Sequence, residues 1–260
     1  MDLASVGGLV TALIALVVGI VTTGIGAGDI IDIPSLFITG VGSLACTAIS
    51  NPLSLTIGAG GLYAKTFSLP TFDVKSKIMQ IVSFSEKARR DGLLALEDDM
   101  DKLDDPFLKK ALQLVVDGTD PEIVRNVMQI DLDSMEARHS RGRGWFESWG
   151  ELAPAFGMLG TLIGLIGMLG NLGGDSSAIG KGMAAALITT LYGSFLANVF
   201  AIPTVNKLKM QTNEEIIVKQ VMIEGTLSIQ AGDNPRIVQE KLASYLDPSV
   251  RSGLNEDAQD

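Results

Sequence analysis

One cysteine and one histidine stand in 260 residues. A single thiol cannot close an intrachain disulfide, and one Cys with one His supplies none of the usual metal-ligand sets. Cys46 lies in an apolar stretch with no basic neighbour to activate it. His139 sits among charges and reads as a surface turn residue rather than a catalyst. Gly58-Ala59-Gly60-Gly61 is followed by no lysine and hydroxyl pair, so it is no phosphate loop. No enzyme, cofactor or metal chemistry survives this count. Charge is also scarce. Charged residues make up 19% of the chain, against about 25% in ordinary soluble domains. Mean hydropathy is +0.32, which argues against disorder. The net charge of −10 disfavours nucleic acid as a partner.

What is abundant is uncharged apolar sequence. Four stretches qualify as membrane spans: 3–27, 33–51, 152–172 and 182–206. A bilayer needs about 20 apolar residues as helix. A charge at mid-helix costs about 2.5–3.5 kcal/mol on insertion scales, and none of the four carries one. The second is diluted by Ser43, Thr47 and Ser50; Asp32 reads as its N-cap, Pro34 lies in its first turn, and Asn51-Pro52 is its stop. The first reads as a span and not a cleaved signal, because only Met1-Asp2 precedes it and a cationic flank is missing.

Basic residues fix the expected topology. The segment 52–151 holds 13 lysines and arginines and 205–260 holds six, so 19 of the 20 fall on one side if all four stretches span. By the positive-inside rule that side is the cytoplasm, and both termini lie there. The expectation is an all-α membrane protein: spans 1 and 2 in 1–51, a cytoplasmic helical domain in 52–151, spans 3 and 4 in 152–206, and cytoplasmic helices with a tail in 207–260. Membrane lipid is then an obligate neighbour. Trp145 and Trp149 fit either an interfacial anchor or a soluble contact.

The segment between spans 2 and 3 has helical periodicity and almost no strand signal. Val74, Ile78, Ile81, Val82 and Ala88 outline one helix, and Leu93, Leu96, Met100 and Leu103 a second. Phe107, Ala111, Leu114 and Val115 outline a third, ended by Asp117-Gly118. Asp120-Pro121 starts a fourth, with Ile123, Val127 and Ile130 as its apolar face. Residues 205–231 continue span 4 to a stop at Gly232, and Asn234-Pro235 opens a last helix through Leu246 before the polar tail 247–260. Residues 86–105 form the densest charge cluster, basic at Lys87, Arg89 and Arg90, then acidic from Glu97 and Asp98 onward. It lacks the glycine and terminal glutamate of a calcium loop. It reads as a solvated face or as a bipolar surface for a partner of reversed pattern.

Inside the third stretch Gly157, Gly160, Gly164 and Gly167 form one stripe, along which helix backbones can approach closely. Gly182, Ala186, Thr190, Gly193 and Ala197 repeat the device in the fourth. Thr161, Thr189 and Thr190 are the polar groups of these two spans, bonded either to their own backbone or toward an ion path. No span holds an Asp, Glu, Lys, Arg or His, and a proton relay or ion carrier normally needs such a group in the membrane. The chain is therefore structural, or a partner brings a carboxylate to a groove made here.

Three pieces carry a resemblance: APAFGMLGTLIGL (153–165), MAAALITTLYGSFLANVFAIP (183–203) and EKARRDGLLALEDD (86–99). With the layout of spans, they make the chain resemble the MotA/PomA stator subunits of the flagellar motor, within the MotA/TolQ/ExbB family. The resemblance implies a multi-pass protein of the bacterial inner membrane that conducts sodium or protons with a MotB/PomB-type partner. It implies five A chains around two B helices, torque on the rotor protein FliG, and no enzyme activity. It places Thr161 and Thr190 opposite the partner's aspartate, with Thr189 beside them. It makes Pro154 and Pro203 coupling prolines and assigns Arg89, Arg90, Glu97 and Asp98 to the rotor contact. Asp91 departs from the pattern, since relatives often carry glycine there. A TolQ/ExbB-like energiser of an outer-membrane process and a non-conducting scaffold are the alternatives.

Overall fold

A computed structural model describes residues 2–24, 26–68, 72–172, 176–248 and 251. Among these there is no strand. The chain divides into two units, Met1–Leu69 with His139–Met210 and Pro70–Arg138 with Gln211–Asp260. Two long helices, α9 (Pro121–Gly170) and α11 (Ile202–Gln230), contribute to both.

The first unit begins with α1 (Leu3–Thr22), whose N-terminal amides are capped by Asp2: its carboxylate accepts from Ala4 N at 3.0 Å. None of the twenty residues of α1 is buried. A short α2 (Ala27–Ile30) leads to an apolar rod made of α3 (Ile33–Leu36), a π-helical turn (Phe37–Val41) and α4 (Gly42–Ile49). Asp32 caps the rod as expected, accepting from Ser35 N at 2.9 Å, with Pro34 in the first turn. The rod is inverted relative to a soluble helix. Its buried residues are Ser35, Thr39, Ser43 and Thr47, while Ile33, Phe37, Val41 and Ile49 are exposed. Outward apolar side chains and inward hydroxyls suit a lipid surround, where hydroxyls bond across helices. Pro52 then precedes α5 (Leu53–Lys65), so Gly58-Ala59-Gly60-Gly61 is helical and forms no loop. Trp145 is buried in this unit with Phe146 and Ala59, and Trp149 Nε1–H donates to Ser43 Oγ at 3.2 Å. The pair therefore makes contacts within the unit.

Among the described residues, three helices are long and apolar enough to cross a membrane: Leu3–Thr22, Pro121–Gly170 and Ser177–Gln230. The rod Ile33–Ile49 is shorter. At 1.5 Å per residue it reaches about 25 Å, against about 30 Å of hydrocarbon.

The second unit packs around Ile78, Ile81, Leu108, Leu112, Met128 and Met222. The first and third expected helices are α6 (Val74–Asp91) and α8 (Pro106–Val116), the latter capped by Asp105 and followed by Gly118 at φ +72°. The second is not one helix. Gly92, at φ +89°, ends α6, and the chain continues as a 3-10 turn (Leu93–Leu96) and a single-turn α7 (Glu97–Met100). That backbone conformation is open to glycine and strained for other residues. Leu96 and Met100 still reach the core.

The fourth helix starts as expected, with Glu122 N–H bonded to Asp120 Oδ1 at 2.8 Å. It then runs unbroken as α9, so His139 lies within a helix and not in a turn. Its apolar face is also corrected. Ile123 and Ile130 are exposed, whereas Val124, Met128, Leu132 and Met135 are buried. Two apolar stripes share this helix one residue apart. The one with four members wins, since each buried side chain contributes about 1.5–3 kcal/mol. The last helix, α12 (Pro235–Ala243), is capped by Asn234 and stops three residues short of Leu246. Most of the tail 247–260 lies outside the described residues.

Glu224 of α11 joins three helices of this unit: it accepts from Arg125 of α9 at 2.5 Å and Lys241 of α12 at 3.1 Å. Burial pushes its carboxyl up, but the hydrogen bonds from Arg125 and Lys241 more than reverse this and hold it below the ordinary glutamate range. A carboxyl depressed by folding stabilises above its unfolded pKa and loses that contribution as pH falls through the folded value. Glu224→Gln is expected to cost on the order of 1–2 kcal/mol near pH 7, the range of a charged, partly exposed hydrogen bond. The gap in thermal unfolding between the two proteins should close as pH falls below the ordinary glutamate range and through the lowered folded value; an unchanged gap at acid pH would remove the ion pairs as the cause.

Candidate functional site

The fourth expected span corresponds to α10 (Ser176–Phe195), a π-helical turn (Leu196–Ala201) and the start of α11. It packs on α9 backbone to backbone. A Cβ on Gly157 would sit 2.9 Å from Thr189 O, one on Gly164 2.7 Å from Gly182 O, and one on Gly193 2.5 Å from Ala153 O. On Gly160 it would strike the Thr189 side chain. Real side chains do not approach that closely, so any residue larger than glycine forces the helices apart. Gly167, the fourth member of the expected stripe, faces open space.

This approach brings Thr161 and Thr190 together. Their Oγ1 atoms are 2.5 Å apart, and Thr161 Oγ1 lies 3.0 Å from both Gly157 O and Ala186 O. Thr190 Oγ1 is 3.2 Å from Ala186 O. Two hydroxyls hold two hydrogens, and those are taken by the carbonyls and by the shared contact. Lone pairs remain on both oxygens, at a place where Thr161 is half-buried and Thr190 exposed. That is an acceptor face, fit for a cation or for a protonated acid. Thr189 is placed differently. It is 1% exposed, points at Gly160, and gives its hydroxyl to Ala185 O and Ala186 O of its own helix.

Pro154 sits inside α9 with no break in the helix, on an exposed position. Its missing N–H leaves the carbonyl of Gly150 without the usual partner. A Cβ on Gly150 would lie 3.4 Å from Ala201 Cβ, so the loosened turn rests beside the residues that precede Pro203. Pro203 is the second residue after the π-turn, whose wider winding accommodates a ring that lacks a donor. Thr204 returns a hydrogen bond, from Oγ1 to Phe200 O at 2.7 Å. Both prolines therefore stand where the backbone ladder is weakened, on adjoining turns.

In the second unit Arg89 and Arg90 close α6 and Glu97 and Asp98 open α7, all exposed. The turn at Gly92 separates the two signs of charge. Asp91 bonds Arg90, Nη2 to Oδ2 at 3.0 Å, and these hydrogen bonds raise the arginine and lower the aspartate from their ordinary values. Lys87 is taken by Asp99 at 2.6 Å, which holds the Asp99 carboxyl low.

Two features escaped the sequence reading. One is the hydroxyl line Ser35, Thr39, Ser43, Thr47, whose spacing of four residues was the available signal. Thr39 Oγ1 reaches Thr189 O at 3.4 Å, behind the threonine pair. The other is Tyr192, which donates to Ile30 O at 2.6 Å and accepts from Asp32 N at 3.3 Å, pinning the connection between α1 and the rod to α10. A tyrosine among apolar residues carries no such signal.

Residues 99–220 match the model of the MotA/TolQ/ExbB proton channel family. The chain is 45% identical over 255 residues to Motility protein A of Borreliella burgdorferi, covering 98% of each. It is 35% identical to Chemotaxis protein PomA of Vibrio alginolyticus, covering 97% of this chain and 98% of that one. Among solved structures, a chain of the flagellar MotAB stator complex from Bacillus subtilis superposes with a TM-score of 0.89 at 33% identity, over 97% of this chain and 99% of that chain.

Because Gly193 meets backbone atoms, Gly193→Ala is expected to cost about 1–3 kcal/mol, whereas Gly167→Ala, in open space, leaves stability unchanged. Thermal unfolding in detergent checks both; equal behaviour of the two would show that close backbone approach is not what holds the helix pair.

Proposed function

Because this chain belongs to the MotA/TolQ/ExbB proton channel family, we propose that it works as the A-type subunit of a flagellar motor stator, forming an ion channel with a MotB-type partner. The observation that carries this reading is the Thr161–Thr190 pair: two hydroxyl oxygens on helices whose apolar parts hold no acidic or basic side chain. Such a pair accepts a cation but has no charge of its own to take it up or release it. The carboxylate comes from a transmembrane aspartate of the partner. When that aspartate binds an ion it loses charge, and its preference for the hydroxyl face changes. In a ring of five A chains around two B helices, that change selects the next subunit and the ring turns stepwise.

An ion crossing 100 mV releases about 2.3 kcal/mol, enough to bias one such step. Pro154 and Pro203 let adjoining turns of spans 3 and 4 yield during it. The motion passes along α9 and α11 into the charged cluster. There Arg89, Arg90, Glu97 and Asp98 meet the rotor protein FliG by complementary charge. Asp91 takes up part of Arg90's charge and weakens the basic end of that contact. The chain lies in the bacterial inner membrane with four spans, the rod Ile33–Ile49 among them, and with both termini in the cytoplasm, where the basic residues concentrate. The cation is sodium or a proton, and swimming speed against external sodium at fixed membrane potential distinguishes them.

Thr161→Val with Thr190→Val is expected to lower ion flux of the assembled complex by tenfold or more, a loss of about 1.4 kcal/mol or greater, while Ser at both positions retains most of it. Flux through vesicles containing the complex is the measurement. Valine variants that assemble and conduct like the parent would remove the hydroxyl face from the path. In cells, Pro154→Ala and Pro203→Ala should leave assembly intact and abolish full-speed swimming; normal swimming would remove the coupling role.

A further inference from the structure

A cavity of about 280 Å³ opens between α1, the end of α5 and the junction of the second π-helical turn with α11. Its two main walls are graded in the same direction. Along α1 the lining runs from Ala12 and Leu9 to Ser5, with Asp2 one turn further. Along the facing wall it runs from Val199 to Thr204 and then Lys207. The α1 wall thus passes from hydrocarbon to hydroxyl with Asp2 just beyond the lining, and the facing wall, which carries the Asn198 amide beside Val199, passes through Thr204 to Lys207, so both walls reach charge at the same end, as at a bilayer surface.

The charged end is a built site. Asp2 is 4% exposed and holds four hydrogen-bonding partners. Its carboxylate accepts from Ala4 N at 3.0 Å, from Ser5 Oγ at 2.6 Å and from the Lys207 ammonium, and its own N–H donates to Phe67 O at 2.9 Å. The hydrogen bond from Lys207 holds the acid well below the usual carboxylate range, so both groups stay charged. The pair is neutral as a whole. Lys207 keeps two further N–H donors, and the carboxylate keeps lone pairs.

We propose that this cavity holds one phospholipid with a zwitterionic, amine-bearing headgroup. Part of an acyl chain lies along Leu9, Ala12 and Val199. The phosphate takes the free donors of Lys207 and the amine approaches Asp2. Net neutrality of the charged end argues against a purely anionic headgroup, which would meet Asp2 as well as Lys207. The lipid completes the attachment of α1, which buries no side chain of its own and is fastened at this end through Asp2.

Gly8 lines the same cavity, and a Cβ there meets nothing within 4 Å, so a large side chain can fill the space without disturbing the wall. The test is native mass spectrometry of the full-length protein, extracted from vesicles of equal phosphatidylethanolamine and phosphatidylglycerol. The parent is expected to retain phosphatidylethanolamine, and Gly8→Phe and Ala12→Leu to lose it about tenfold with unchanged assembly. Lys207→Gln should retain less lipid and lose the preference between headgroups. No retained lipid in the parent, equal retention in both filling variants, or a preference for phosphatidylglycerol would overturn the proposal. So would a Gly8→Cys crosslink to another copy of the chain. These readouts involve neither ion flux nor motility, so their failure is separable from failure of the stator reading.

Discussion

The contact between α9 and α10 is made by backbone. At Gly157, Gly164 and Gly193 the partner helix stands where a Cβ would be. In a lipid surround there is no hydrophobic gain from hiding leucine against leucine, so dispersion at close range and hydrogen bonds across the seam have to hold the helices. This closeness sets everything polar in the spans. It places Thr161 Oγ1 within reach of Ala186 O and of the Thr190 hydroxyl, which belong to the other helix. A separation larger by one methyl group would break both contacts and dissolve the acceptor face. The small residues therefore position the site as well as pack the membrane part.

The third element of this layer is the rod Ile33–Ile49. Its hydroxyls turn inward and its isoleucines outward, and Thr39 stands behind Thr189 while Trp149 donates to Ser43. The same unit carries two π-helical turns, at Phe37–Val41 and Leu196–Ala201. Each widens the helix and shifts the residues after it around the axis. Pro203 is the second residue after the second turn, so the irregular ladder and the missing donor fall together. The second unit follows the opposite solvent logic. Its core is aliphatic and methionine-rich, and its polar links, such as Glu224 with Arg125 and Lys241, lie at the rim.

Periodicity carried far in the second unit because its apolar side chains gather in one core and its charged ones lie at the rim. The helices α6 and α8, and the helix starts at Asp120 and Asn234, are local features with local causes. Reading failed where two solutions shared one segment. On α9 the Ile123, Val127, Ile130 stripe and the Val124, Met128, Leu132, Met135 stripe are neighbours, and only the packing partners choose between them. Leu93 to Leu103 had helical spacing, but Gly92 at positive φ turned it into two short pieces.

Sequence by itself determined the apolar segments, the absence of charge within them, the small-residue stripe and the threonines, because insertion cost and close approach depend on residue type and spacing alone. Which threonine faces outward was decided by the tertiary structure: Thr189 and Thr190 are adjacent, and 100° of helical rotation sends one under Gly160 and the other to the open face. Distance in sequence hid the remaining contacts. Asp2 meets Lys207 and Tyr192 meets Ile30 across more than 160 residues, and no local pattern encodes a partner that the fold alone brings near.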